Sequence, residues 1–151
     1  MEYVVEIARN GEQTLRVNGR YIYSKYNPSK EVKAWIEREF DDTATSYVLI
    51  GLGLGYHLDE LMKINMNKRI QVLALFSEEL SHFSTYENVE IVYSFADLHS
   101  DEGIQILLPL AWLQVLGEDH PLYESLADIK RKQISFKLCS EKMEQNFKSN
   151  V

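Results

Sequence analysis

Residues 47–61, YVLIGLGLGYHLDEL, constrain the fold more than any other stretch. An apolar strand runs into three alternating glycines, Gly51, Gly53 and Gly55, and emerges into a helix whose inner face is set by Leu54, Leu58, Leu61 and Met62. A strand, a glycine turn and a helix N-terminus in that order are the opening unit of a parallel α/β sheet. The downstream sequence continues the alternation: residues 70–76 (IQVLALF) form a nearly continuous apolar run, as a strand buried on both faces requires. A short helix over 77–83, a third strand over 89–93 and a fourth over 104–108 complete the series. The expected fold is α/β, Rossmann-like and methyltransferase-like, with a mainly parallel sheet of four to six strands.

Upstream, residues 3–8 and 14–23 are rich in β-branched and aromatic residues; the tight-turn signal Asn10-Gly11 separates them, and a second, Asn18-Gly19, splits the later run. They predict a three-stranded β-meander that must pack on a neighbour to bury a face. Asn27-Pro28 then reads as an N-cap and first-turn proline. Val32, Trp35, Ile36 and Phe40 come next, on one helical face. Toward the C-terminus, positions 122, 126, 129, 133, 136, 140, 143 and 147 are spaced alternately four and three, and six of the eight are apolar, which predicts one long C-terminal helix. Polar Gln133 and Ser140 make it a poor free-standing coiled coil. The expected division is residues 1–26 as meander, 27–121 as α/β core, and 122–151 as a helix that packs on the core or links to a downstream domain.

With 151 residues the chain makes one domain, and its formal charge of −7 opposes broad nucleic-acid binding. No apolar run approaches the about 20 residues of a membrane span, and no signal-peptide pattern opens the chain, so cytoplasmic placement is expected. A single cysteine, Cys139, fits a reducing compartment and reads as a helix residue rather than a nucleophile. The cluster at Lys130, Arg131 and Lys132 reads as a solvated helix face, and Asp41-Asp42 as a loop rather than a metal site. His82, His99 and His120 have no metal-ligand spacing.

The glycine turn is the one place where a cofactor is expected, because close backbone approach and a helix N-terminus suit an anionic or polar ligand. The turn departs from G-x-G-x-x-G, since Tyr56 stands where the third glycine belongs. Its G-x-G-x-G spacing resembles the first motif of S-adenosylmethionine-dependent methyltransferases. Two readings stand: a structural turn, or a site for S-adenosylmethionine or a nucleotide. In the second, Gly51, Gly53, Gly55 and His57 line the ligand, Glu78 or Glu79 takes the ribose and Asp97 lies near the adenine. No catalytic residue and no metal ligand is expected.

Three pieces together carry a family resemblance: residues 19–31 (GRYIYSKYNPSKE), residues 51–61 (GLGLGYHLDEL) and the terminal helix closing on Asn146-Phe147. They resemble the N-terminal region of the motility-associated-factor family, bacterial flagellin glycosyltransferases thought to transfer nonulosonic acids, with a central region related to 6-hydroxymethylpterin pyrophosphokinase-like proteins. The resemblance spans most of residues 11–150. The family's Gly-Ala-Gly-Pro-Ser-Leu type motif lies beyond the matched stretch and is missing here. The resemblance therefore implies an accessory domain whose partners are a flagellin acceptor and a downstream catalytic domain. A homodimer through the C-terminal helix is a further expectation.

Overall fold

The computed structural model describes residues 2–82, 86–99 and 102–131. Two compact units divide between Val115 and Leu116. In the first, β1 (Tyr3–Ile7) pairs antiparallel with β2 (Gln13–Val17), Tyr3 opposite Val17 and Ile7 opposite Gln13. A short β3 (Arg20–Tyr21) completes the meander. The turn between β2 and β3 is made by Asn18 and Gly19, both at positive φ (51° and 81°), which is the conformation that an Asn-Gly hairpin turn needs.

The second sheet is parallel, in the order β6 (Val89–Val92), β5 (Ile70–Leu73), β4 (Ser46–Ile50), β7 (Ile104–Leu107). Read in chain order this is 3-2-1-4, the order of a Rossmann half-sheet. Every residue of β4 and β5 is buried, which accounts for their largely apolar character. The polar members are Ser46, which opens β4, and Gln71 of β5, which is satisfied reciprocally: its Nε2 donates to the His99 carbonyl at 3.0 Å and its Oε1 accepts from the His99 N–H at 2.8 Å.

Helix α1 (Pro28–Glu39) buries Val32 and Ile36. Its expected cap is corrected: the Asn27 side chain makes no capping bond and its Oδ1 is buried without a partner. The Ser24 hydroxyl instead accepts the N–H groups of Tyr26 and Asn27 and turns the chain into the helix. Asp41 behaves as a loop residue, its Oδ1 accepting the Thr43 N–H and hydroxyl. Lys68 ties down the same loop by donating to the carbonyls of Asp42 and Ala44. Helix α2 is Tyr56–Ile64.

The segment expected as a helix over 77–83 is a 3₁₀ helix, Ser77–His82, and a second short 3₁₀ turn covers Phe95–Asp97. Helix α3 (Leu110–Leu116), preceded by Pro109, is absent from the sequence reading. Its seven residues are too few to establish a helical period. The meander and the parallel sheet share one core, in which Leu15, Val17, Ile22 and Tyr23 pack with Tyr47, Leu49, Leu52, Leu58, Leu61 and Trp112.

In the second unit, residues 123–131 are helical, Leu126 and Ala127 are buried, and the His120 Nδ1 accepts the Leu122 N–H. The remainder of the expected C-terminal helix, with Phe136, Cys139, Met143 and Phe147, lies outside the described residues. Among the described residues, no helix is long and apolar enough to cross a membrane, and no group of three or more His, Cys, Asp or Glu side chains is placed to hold a metal ion.

Candidate functional site

In a sheet of this order the ligand crevice lies at the carboxyl ends of the strands where the chain reverses direction across the sheet, here between β4 and β7. The glycine turn is at that point. Gly51, Gly53 and Gly55 all have positive φ (85°, 56° and 89°), so the backbone requires glycine there whether or not anything binds.

Protein groups take up the N–H donors of the turn one by one. The Gly51 N–H extends the β4–β5 ladder to the Leu73 carbonyl at 2.9 Å, and Gly55 donates to the Leu52 carbonyl at 2.9 Å. Leu54 donates to the Tyr23 hydroxyl at 3.0 Å. Leu52 and Gly53 donate to Glu79 Oε1 at 3.2 and 3.0 Å. The other carboxylate oxygen, Oε2, accepts the N–H groups of Leu75 and Phe76, at 2.8 and 3.3 Å, from the loop after β5. An ionised carboxylate has about four lone-pair sites. All four are engaged in Glu79, which is fully buried.

Burial pushes the Glu79 carboxyl above the usual range, and the four N–H bonds offset part of that shift. The carboxylate thus sits where a bound anion would receive the donors of a glycine turn.

The crevice is filled as well as satisfied. A Cβ added to Gly51 would lie 2.5 Å from Cε2 and Nε1 of the Trp112 indole. One added to Gly53 would overlap the Tyr23 hydroxyl and lie 3.0 Å from Trp112 Cζ2. Trp112 belongs to α3, directly after β7, and is fully buried with its Nε1 unpartnered. Phe76 packs beside it at 6.1 Å between ring centroids. Tyr23 comes from the end of the meander, and burial raises its pKa. Gly55 alone has open space at its Cβ position, and serves as the left-handed residue that starts α2.

The remaining expected site residues lie elsewhere. His57 points into the core, with the Trp35 ring edge-on at 5.4 Å and the Tyr23 ring at 5.6 Å. It is 4% exposed, its Nδ1 has no partner, and burial pushes its pKa down to about 3, so the imidazole is neutral. It lines the packing behind the turn rather than a ligand. Glu78 is exposed and its Oε2 accepts from the Ser77 hydroxyl, so the inward carboxylate is that of Glu79. Asp97 is exposed and closes a local turn by accepting the Ser94 hydroxyl at 3.0 Å. The structure therefore brings together Gly51, Gly53 and Glu79 with Tyr23 and Trp112. Neither aromatic was expected there, since the sequence signal of both is that of ordinary core residues.

No family model matches the chain. An uncharacterized protein of Treponema pallidum (strain Nichols) is 41% identical over 58 residues, which make up 36% of this chain and 20% of that relative, so the match covers about a fifth of the relative's length. A crystal structure of MnmC2 from Aquifex aeolicus aligns over 71% of this chain and 42% of its own, with 16% identity and a TM-score of 0.34.

Two measurements check the site. Glu79→Gln turns two acceptor sites into a donor facing N–H groups, and should cost at least about 3 kcal/mol in urea unfolding, against within about 0.5 kcal/mol for Glu78→Gln. His57 has a folded pKa below its unfolded value of 6.5, so below that pH the unfolded chain takes up a proton that the folded chain refuses. Its contribution should cost about 2 kcal/mol between pH 7 and pH 5. In His57→Phe that loss should vanish, so the stability difference between variant and parent should change by this amount over the interval. A constant difference would mean that His57 is not buried as a neutral group.

Proposed function

We propose that this domain is a non-catalytic accessory module of a motility-associated-factor-like flagellin glycosyltransferase, acting in acceptor recognition or as a scaffold for a downstream sugar transferase in the cytoplasm. The observation that carries the non-catalytic part is the Glu79 carboxylate, which takes the turn N–H groups of Leu52 and Gly53 and, with Leu75 and Phe76 on its other oxygen, keeps no lone pair for a cofactor's ribose hydroxyl. Trp112 and Tyr23 supply the second support by occupying the space over Gly51 and Gly53. The assignment to flagellin glycosylation rests on the sequence resemblance of residues 19–31 and 51–61.

An S-adenosylmethionine-dependent methyltransferase or a nucleotide-binding domain is the competing reading. It requires Glu79 to give up at least one N–H bond to receive a ribose hydroxyl, and requires Trp112 to leave the turn. Each change exposes or unpairs a buried group.

Thermal melting with S-adenosylmethionine, its demethylated product, CMP and CMP-sugars, each near about 1 mM, separates the two. A ligand at about 100 times its dissociation constant adds about 2.7 kcal/mol, worth several degrees in a chain of this size. The accessory reading predicts no saturable rise with any of them, and saturable binding of the domain to purified flagellin or to the downstream catalytic domain. A saturable rise with S-adenosylmethionine that is lost in Gly53→Val would overturn it.

A further inference from the structure

Strand β1 lies at the edge of the meander, and its backbone parity is fixed by its neighbour. The Asn18 N–H donates to the Glu2 carbonyl and the Ala8 N–H to the Glu12 carbonyl, so even-numbered residues hold the hydrogen-bonded pairs with β2. The N–H and C=O groups of Tyr3, Val5 and Ile7 therefore point the other way, to the free edge. Among the described residues nothing bonds to them.

Their side chains share the face that carries Leu15 and Val17 into the core, yet Val5 is 39% exposed and Ile7 70% exposed. Edge strands are usually blunted by lysine, proline or a bulge. The sequence of β1, YVVEI, has neither residue, and its register with β2 is continuous.

We propose that β1 pairs antiparallel with β1 of a second copy of this chain, about a two-fold axis at Val5. With that centre, Val5 opposes the partner's Val5 and Tyr3 opposes the partner's Ile7. All three outward-facing residues then form hydrogen-bonded pairs. The apolar side chains Tyr3, Val5 and Ile7 make one continuous row with their symmetry mates, including an aromatic to β-branched cross-strand pair.

The charges select this register. Sliding β1 by two residues keeps the parity, but sets Glu6 against the partner's Glu6 in one direction and Glu2 against the partner's Glu6 in the other. In the register centred on Val5, Glu6 faces Val4, and its charge is already paired with Arg16 at 2.8 Å and bonded by the Tyr21 hydroxyl at 2.8 Å. This sheet-edge pairing is distinct from the dimer expected through the C-terminal helix, most of which lies outside the described residues.

Sedimentation of the whole chain from about 1 to about 100 µM should show a dimer. Ile7→Lys and Val5→Lys should each weaken it by at least about tenfold with the circular dichroism spectrum unchanged, because both positions are exposed. The register is read separately: in a Cys139→Ser background, Val5→Cys should form an interchain disulfide, since opposed Cα atoms of a hydrogen-bonded pair lie about 5.5 Å apart. A monomer at about 100 µM overturns the proposal and leaves the edge to a strand from another protein. A dimer that survives both lysine variants and fails to cross-link through Val5→Cys overturns it equally, by placing the interface elsewhere.

Discussion

The carboxylate of Glu79, bonded by four backbone N–H groups, is the interaction on which the strand ends of this domain depend. Leu52 and Gly53 come from the loop after β4, and Leu75 and Phe76 from the loop after β5. One side chain therefore fixes two adjacent crossover loops relative to each other. Charge-assisted hydrogen bonds contribute about 1.5 to 3 kcal/mol each, while taking a carboxylate out of water costs several kcal/mol. The upward displacement of its pKa shows that burial outweighs the four bonds in setting its acidity. Its structural consequence is geometric: these four bonds tie the glycine turn to the loop after β5 without any ligand.

Trp112 and Tyr23 complete that arrangement from distant parts of the chain. The strand order places α3 beside the glycine turn, and Tyr23, just after the last strand of the meander, meets Trp112 over Gly53. The three glycines thus have separate physical reasons. Gly51 is needed for the indole, Gly53 for the phenol and Gly55 for the left-handed start of α2. A glycine-rich turn in a Rossmann-like sheet is compatible with nucleotide binding, but the same sequence pattern serves as close packing when aromatic side chains lie over it.

The sheet was legible in the sequence because its signals are local. Apolar runs at 47–50 and 70–73, Asn-Gly at 18–19 and glycines with required positive φ each act within a few residues. What escaped was long-range or depended on side-chain direction. Glu78 and Glu79 are equivalent in sequence, and only the path of the 3₁₀ turn makes Glu79 the one directed at Gly53, 26 residues away. Asn27 has the composition of a cap, yet the Ser29 N–H, which a cap would satisfy, donates to Glu12 Oε1 at 3.4 Å, and Ser24 accepts the N–H of Asn27 itself. His57 stands in the first turn of α2 as a ligand-facing residue would, but faces Trp35, which arrives from α1. The helical period cannot say which side of α2 meets another helix and which meets a crevice.

The most direct test of the self-satisfied turn is amide hydrogen exchange at Leu52, Gly53, Leu75 and Phe76, measured by NMR on the ligand-free chain. If the Glu79 carboxylate holds all four, their protection should approach that of Leu49 and Val72 in the adjoining strands. Addition of about 1 mM S-adenosylmethionine should leave both their exchange and their shifts unchanged. Exchange at the rate of an open loop, or protection that appears only with the ligand, would show that the turn is a vacant binding site and contradict this account.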